Sequence, residues 1–409
     1  MPPGADSLPV SGPASTAASA PISRSAAPVA STVVPLTQPA VVPIFQTSAF
    51  DVPDLDTLAL LARGEAVGHI YTRDSNPNHA ILAESIAALE QAESGAVFAS
   101  GMGALSSIFL ALAGAGDHVV IARALYGRTR QLAETLQQRW GLQLTVVDGV
   151  APENFRRAVT ERTRFVLVET VSNPLLEVAD IGAIAAALGK VPLVVDSTFT
   201  TPELIRPCQC GAAIVMHSAS KYLNGHGDVM LGVAAGSAAL MQRLGEATSV
   251  FGFNANPFEA WLCLRGMRTL SLRMRQICHT TRQLAELLGG HPAVRRVHYP
   301  LLAGHPSREL AERLYPDGPG GIVSFELLSG GAAAVNRFMQ HSRGIPFTPT
   351  LADVRTTISW PAGTSHRFVD PDERRGLGIT DELIRLSVGL EPFDQIASEL
   401  TRSLDLLRS

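Results

Sequence analysis

Cysteine is scarce. The 409 residues hold four, Cys208, Cys210, Cys263 and Cys278, too few and too irregularly spaced for a disulfide framework. Cys208 and Cys210 form a C-x-C, but no second ligand pair follows at a zinc-like spacing, so no metal is expected. Free thiols suit a reducing compartment, and a cytoplasmic location is the expectation. An excess of charge of one sign is also lacking: 33 basic against 37 acidic residues leave a formal charge of −4, which implies no nucleic-acid partner. No apolar run reaches the length of a membrane span, so no membrane partner is expected either. Residues 1–32 lack any apolar period and are rich in Ala, Ser and Pro, with one Arg and one Asp. Such a segment cannot bury enough surface to offset its ordering entropy, and disorder is expected. A targeting peptide is the alternative, but the stretch lacks a continuous apolar core and has few basic residues.

What is present is a chain with 46% hydrophobic residues, long enough for a sizeable core and two domains. Between about 77 and 260 apolar strands alternate with helical patterns: VVIA at 119–122, LTVVD at 144–148, FVLVE at 165–169, PLVVD at 192–196 and AIVMH at 213–217. That alternation predicts an α/β fold with a mostly parallel sheet wrapped by helices. The pattern divides the rest into an extended, proline-threaded N-terminal arm at 33–76, a sheet domain at 77–260 and a C-terminal α/β domain at 261–409. The last begins near a long polar-faced helix at 260–289 and carries its own strands, including GGIVSFEL at 320–327.

The most informative stretch is MHSASKYLNGHGDVMLG at 216–232, where Lys221 stands between small hydroxyl residues and a glycine-rich turn. The apolar run before it places the lysine beyond a strand's carboxyl end, where open α/β sheets bind ligands. An amine there can lose its proton more easily than on a solvated surface, as Schiff-base chemistry requires. Ser218 and Ser220 can donate to a phosphate. The plain alternative is a surface lysine in a Ser/Gly loop, and other segments decide against it. VPLVVDSTFTTP ends a strand on Asp196, which can serve as a turn cap but, beside such a lysine, suits pyridoxal 5'-phosphate (PLP), whose ring nitrogen must stay protonated. AVFASGMGALSSIFLAL at 96–112 sets Ser100, Gly101, Met102 and Gly103 between strand and helix, an anion seat built from backbone N–H groups.

These segments, with YTRDSNP at 71–77, ALYGRT at 124–129, ETVSNPLLEVADI at 169–181 and LIRLSVGLE at 383–391, resemble the Cys/Met-metabolism (trans-sulfuration) family of PLP enzymes, from about residue 38 onward. The resemblance implies the type I fold of PLP-dependent transferases, with a mostly parallel seven-stranded sheet in the large domain and a smaller C-terminal α/β domain. It implies a small amino-acid substrate and a homotetramer, a dimer of active dimers. In such an enzyme Lys221 holds the cofactor as a Schiff base and shuttles protons, Asp196 pairs with the ring nitrogen, and Tyr126 stacks on the ring as a candidate acid or base. Gly101, Met102, Ser218 and Ser220 bind the phosphate, joined by Tyr71 and Arg73 from the adjacent subunit. Arg385 clamps the substrate carboxylate with the help of Asn173, a task that suits a guanidinium fork.

The chain departs from the family pattern around the substrate. Ile70 and Pro349 are apolar where cystathionine-handling enzymes often place an acid or a tyrosine, which favours a substrate without a distal amino-acid end. Thr350 stands where Ser is usual and keeps the hydroxyl, so it counts among the substrate-binding residues. Arg355 and Trp360 replace a usual Glu and His. Arg128 replaces a Gly or Cys, and either faces the substrate or is a solvated arginine paired with an acid. The expected activity is γ-elimination from a sulfur or homoserine-derived amino acid, giving a 2-oxo acid and ammonia, as in cystathionine or methionine γ-lyases. The alternatives are γ-replacement, as in cystathionine γ-synthase or an O-acylhomoserine sulfhydrylase, and a non-catalytic PLP-binding homologue.

Overall fold

Among the described residues eleven strands form two sheets, and the larger sheet decides where chemistry can occur. The structure is a computed structural model that describes residues 39–148 and 150–408; the expected disorder of 1–32 and the start of the 33–76 arm lie outside these residues. In chain order the large sheet contains β1 (Ser94–Phe98), β2 (His118–Ala122), β3 (Gln143–Val147), β4 (Thr163–Glu169), β5 (Leu193–Asp196), β6 (Ile214–Ser218) and β7 (Gly232–Gly236). Their spatial order is β1-β7-β6-β5-β4-β2-β3. Only β7 pairs antiparallel with both its neighbours, so the other six strands point the same way. Val119 to Ile121 in β2, Phe165 to Val168 in β4 and Val194 and Val195 in β5 are fully buried, as a sheet covered on both faces requires. The strand β7 reads GVAAG and lacks the β-branched signature that marked the others, so its position was not evident from pattern alone.

The second sheet holds β8 (Val294–His298), β9 (Ile322–Leu327), β10 (Thr357–Ser359) and β11 (Leu383–Ser387), in the order β10-β11-β9-β8 and antiparallel throughout. The described residues from Val42 onward form one compact unit. The expected boundary at 260/261 falls inside the helix Pro257–Met267. Two apolar clusters form the core: most of the large sheet packs in one, while Tyr222 and Leu223, which follow β6 and stand next to Lys221, pack in the other with Ile277, Val323, Phe325 and Leu386. The lysine segment is therefore held from both sheets.

The long helix expected at 260–289 is two helices, Pro257–Met267 and Leu270–Gly289. The apolar period runs through the junction, which is why sequence alone does not divide it. The break comes where the Gly266 carbonyl accepts from Arg273 Nη2 at 3.0 Å and Thr269 Oγ1 at 3.2 Å instead of continuing one helical ladder. The described part of the N-terminal arm is fastened to its own chain. Asn78 Nδ2 donates to the Pro43 carbonyl at 2.8 Å, and Trp261 Nε1 to the Val42 carbonyl at 2.8 Å.

Candidate active site

Because β1, β2, β4, β5 and β6 run parallel, the loops after their carboxyl ends open on one edge of the sheet. Those loops carry Gly101 and Met102, Tyr126 and Arg128, Asn173, Thr198, and Lys221. They line one cavity of about 600 Å³, to which the small-sheet half of the chain adds Pro349, Thr350 and Arg385. A cavity of this size suits a cofactor together with a small substrate.

Lys221 sits in a turn fixed at both ends: its N–H donates to the Ser218 carbonyl at 3.0 Å, and its carbonyl accepts from Gly225 N at 2.7 Å. Gly225 has φ +80°, and a Cβ there would lie 2.2 Å from Arg273 Nη1, so this close approach needs glycine. Arg273 is buried and donates to the carbonyls of Tyr222 at 2.6 Å and Leu223 at 3.1 Å, clamping the residues that follow the lysine. The lysine amine donates to Thr350 Oγ1 at 2.8 Å. Burial, reinforced by the Arg385 charge, brings its pKa down to about 8.

Asp196 ends β5 directly beside Glu169 at the end of β4. Asp196 Oδ1 accepts from Thr198 N at 3.0 Å and from Thr198 Oγ1 at 2.5 Å, and the same hydroxyl oxygen accepts from Ser218 N at 2.9 Å. One threonine thus aligns the acid with the strand that leads to Lys221. Glu169 accepts from Tyr126 N at 2.7 Å and Asn173 N at 3.2 Å, tying together the loops after β2 and β4. Burial raises the pKa of both acids, and in Glu169 the Asp196 charge adds to the effect. Among the described residues neither carboxylate forms an ion pair.

Arg385, buried in β11, donates from Nη1 to Asn173 Oδ1 at 2.9 Å and from Nη2 to the Thr350 carbonyl at 3.2 Å. Among the described residues its Nε has no partner, and burial brings its pKa down to about 10, still charged at neutral pH. Such a guanidinium, enclosed without a carboxylate, favours an incoming anion. In the same cavity the N–H groups of Gly101 and Met102 open the helix Gly101–Leu112, where no intrahelical acceptor exists. Ser100 Oγ takes Gly103 N at 2.9 Å. A Cβ on Gly101 would stand 2.9 Å from Ser218 Cβ, so the glycine lets the helix start close on the Ser218 hydroxyl.

Not every expected residue joins this cavity in the same way. Ser220 lines it, but its hydroxyl already accepts from Leu231 N at 2.9 Å and donates to the Leu231 carbonyl at 3.3 Å. Tyr71 and Arg73 line a separate hollow with Gln46, Asn254 and Asn256. Arg128 lines the Lys221 cavity, and among the described residues its charge is not paired with an acid: Nη1 donates to Gln131 Oε1 at 2.6 Å, and its guanidinium lies 3.8 Å from the Phe368 ring centre. Ile70 is absent from the residues lining this cavity, whereas Pro349 lines it. Arg355 is exposed. Trp360 packs over the turn at Gly363 and donates to the Asp381 carbonyl at 3.1 Å. Sequence reading missed Thr198, Glu169 and Arg273. Thr198 stands two residues after Asp196, a spacing at which a side chain commonly bonds locally; the others are brought in by the fold.

The family described as Cys/Met metabolism PLP-dependent enzyme matches residues 30–405. The chain is similar to an L-methionine gamma-lyase of Porphyromonas gingivalis, 39% identical over 370 residues that cover 89% of this chain and 92% of that protein. It is similar to an O-succinylhomoserine sulfhydrylase of Pseudomonas aeruginosa, 38% identical over 367 residues, 89% of this chain and 90% of that protein. Among solved structures, the cystathionine gamma synthase of Xanthomonas oryzae pv. oryzae in complex with aminoacrylate and cysteine superposes with a TM-score of 0.84 at 35% identity. That match covers 90% of this chain and 93% of the other.

Proposed function

This chain belongs to the Cys/Met-metabolism family of PLP-dependent enzymes, and from that membership we propose that it is a lyase performing γ-elimination on a sulfur or homoserine-derived amino acid. The carrying observation is the convergence of a lysine with a pKa near 8, an enclosed aspartate and a buried arginine on one cavity.

The residues present fit PLP. Asp196 is a carboxylate withdrawn from water without a cationic partner among the described residues, and a protonated ring nitrogen would supply one. The helix start at Gly101 and Met102, with the Ser218 hydroxyl against it, offers donors for a phosphate. Lys221 would hold the aldehyde carbon as a Schiff base, and Tyr126 would lie against the ring. PLP, when bound, draws off the electron pair left on Cα when the α-proton is removed. Lys221 Nζ would be the base that takes that proton, and its pKa near 8 suits it to accept. Thr350 Oγ1, 2.8 Å away, orients the amine for this task. Arg385 holds the substrate carboxylate through a bidentate pair, with Asn173 fixing the guanidinium plane at 2.9 Å. Once Nζ has passed the α-proton on, Lys221 would take a proton from Cβ; the electron pair left there forms the Cβ–Cγ double bond as the bond from Cγ to the heteroatom breaks, and the heteroatom leaves with that bond's pair. Water finally releases the nitrogen as ammonia and the carbon skeleton as a 2-oxo acid.

Similarity to a methionine γ-lyase supports elimination, and apolar Pro349 in the cavity supports a substrate without a distal ammonium. Similarity at 38% identity to a sulfhydrylase keeps γ-replacement as the second reading. Supplying the holoenzyme with a homoserine ester or methionine, with and without added thiol, separates them. Equal 2-oxo acid and ammonia in both are expected; thiol that suppresses both and appears in a new thioether would establish replacement.

We further propose a cytoplasmic homotetramer in which Tyr71 and Arg73 complete the phosphate site of a neighbouring subunit. Their position in a hollow apart from their own chain's Lys221 cavity supports this. No helix among the described residues is long and apolar enough to cross a membrane. The pH dependence of cofactor capture gives a further check. Apoenzyme mixed with PLP should react faster as pH rises through about 8, where Nζ becomes neutral, and level off above it. A rate that kept climbing towards the ordinary lysine value of 10.5 would contradict the buried environment.

A further inference from the structure

The rim of the Lys221 cavity holds two arginines, Arg128 and Arg367, that the steps above do not use, and one phenylalanine between two segments. The helix Gly127–Trp140 begins hard against the loop that carries Phe368: a Cβ on Gly127 would lie 2.6 Å from the Ser365 carbonyl oxygen. That approach sets the Arg128 guanidinium 3.8 Å from the centre of the Phe368 ring and the Arg367 guanidinium 4.5 Å from it. Stacking on a ring restrains an arginine while leaving its in-plane N–H donors available. Phe368 is 55% exposed, so the cluster opens to solvent at the cavity's edge.

The acids near this cluster are already engaged. Asp370 caps the following helix, accepting from Asp372 N at 2.9 Å and Glu373 N at 3.2 Å. Asp372 pairs with Arg375, and Glu373 pairs with Arg130 at 2.6 Å. Arg128 bonds the neutral Gln131 side chain, and among the described residues neither Arg128 nor Arg367 forms an ion pair. Two like charges gathered on one ring repel each other, and an anion between them relieves that repulsion. The α-carboxylate is served elsewhere by Arg385, which leaves this pair for the other end of the substrate.

We infer that Arg128 and Arg367, gathered over Phe368, form an anion-selecting subsite for the group that departs from Cγ. The substrate class it fits is a homoserine ester whose acyl chain ends in a carboxylate. A thioether offers these guanidinium groups no acceptor. This deepens the elimination reading and rests on it for the identity of the bond that breaks, but the anion subsite can be read separately by binding.

The test compares O-succinyl-L-homoserine with O-acetyl-L-homoserine, which lacks the terminal carboxylate, on the holoenzyme at low and high salt. The succinyl ester should have a kcat/KM at least about tenfold higher, and added salt should shrink the preference. Arg128→Gln and Arg367→Gln should each lower the preference, through the KM of the succinyl ester, and Arg128→Lys should retain part of it. Equal kcat/KM for the two esters, or a preference that survives the double Gln variant, would overturn the subsite. Calorimetric titration of the holoenzyme with succinate supplies the independent reading. Binding weakened by about tenfold or more in the double variant supports the subsite even if neither ester is turned over, an outcome that would instead sink the elimination reading. No succinate binding to the unaltered holoenzyme, or equal binding to the double variant, overturns the subsite.

Discussion

Replacing Lys221 by alanine is expected to lower kcat/KM by about four orders of magnitude or more, because in the proposed mechanism one side chain serves as cofactor anchor and as proton carrier. Both duties depend on the amine's surroundings. The turn that presents it is held by Gly225 and by the Arg273 guanidinium, and its Nζ is directed by Thr350 at 2.8 Å. Removing the side chain leaves these supports in place, so the variant should fold with an unchanged far-ultraviolet spectrum while losing the absorbance of a lysine-bound cofactor. Steady-state kinetics and an absorbance scan on the same sample check both halves. Turnover within about tenfold of the unaltered enzyme would remove Lys221 from the chemistry.

Asp196→Asn is expected to have the second largest effect, a fall in kcat of about two to three orders of magnitude, with weaker cofactor retention. The amide keeps the shape and can still accept from Thr198, so the local network at 2.5 and 3.0 Å has a substitute acceptor. What it cannot supply is a negative charge for a protonated ring nitrogen. Burial already raises the Asp196 pKa, and a cation placed against it would reverse that direction. The apoprotein should therefore lose no stability on this change, since a carboxylate withdrawn from water is replaced by a neutral group. Thermal denaturation of the apoprotein, set beside kcat, separates the two contributions. A variant that unfolds readily would make Asp196 a structural residue, and one that keeps its kcat would remove it from the chemistry.

Much of this arrangement was legible because it depends on local pattern. Short β-branched runs ending in Asp196 or Ser218 identify parallel strands, and glycines at 101 and 225 mark places where backbone must approach closely. The features that were not legible depend on packing between distant segments. Strand β7 is built from Gly, Ala and Val, and its place between β1 and β6 is set by the sheet rather than by its own preference. Nothing in the run from Pro257 to Gly289 announces that the Gly266 carbonyl will turn to Arg273, so two helices read as one. Arg128 illustrates the same limit at the site. Its sequence position left open either an acid partner or a view of the substrate, and only the fold shows its guanidinium held by Phe368 and Gln131 at the cavity. Lysine is scarce as well: Lys190 and Lys221 are the chain's two lysines.

That scarcity makes one measurement unusually direct. Borohydride reduction of the holoenzyme fixes an aldehyde carbon to whichever amine holds it, and peptide mass spectrometry then locates the label. Lys190 is exposed after the helix Ile181–Leu188, whereas Lys221 faces the cavity shared by Asp196 and Arg385. The expected result is a pyridoxyl group on the peptide containing Lys221 and an unmodified Lys190. A label on Lys190, or on neither lysine of a holoenzyme that is active, would contradict the assignment of Lys221 as the residue that holds PLP.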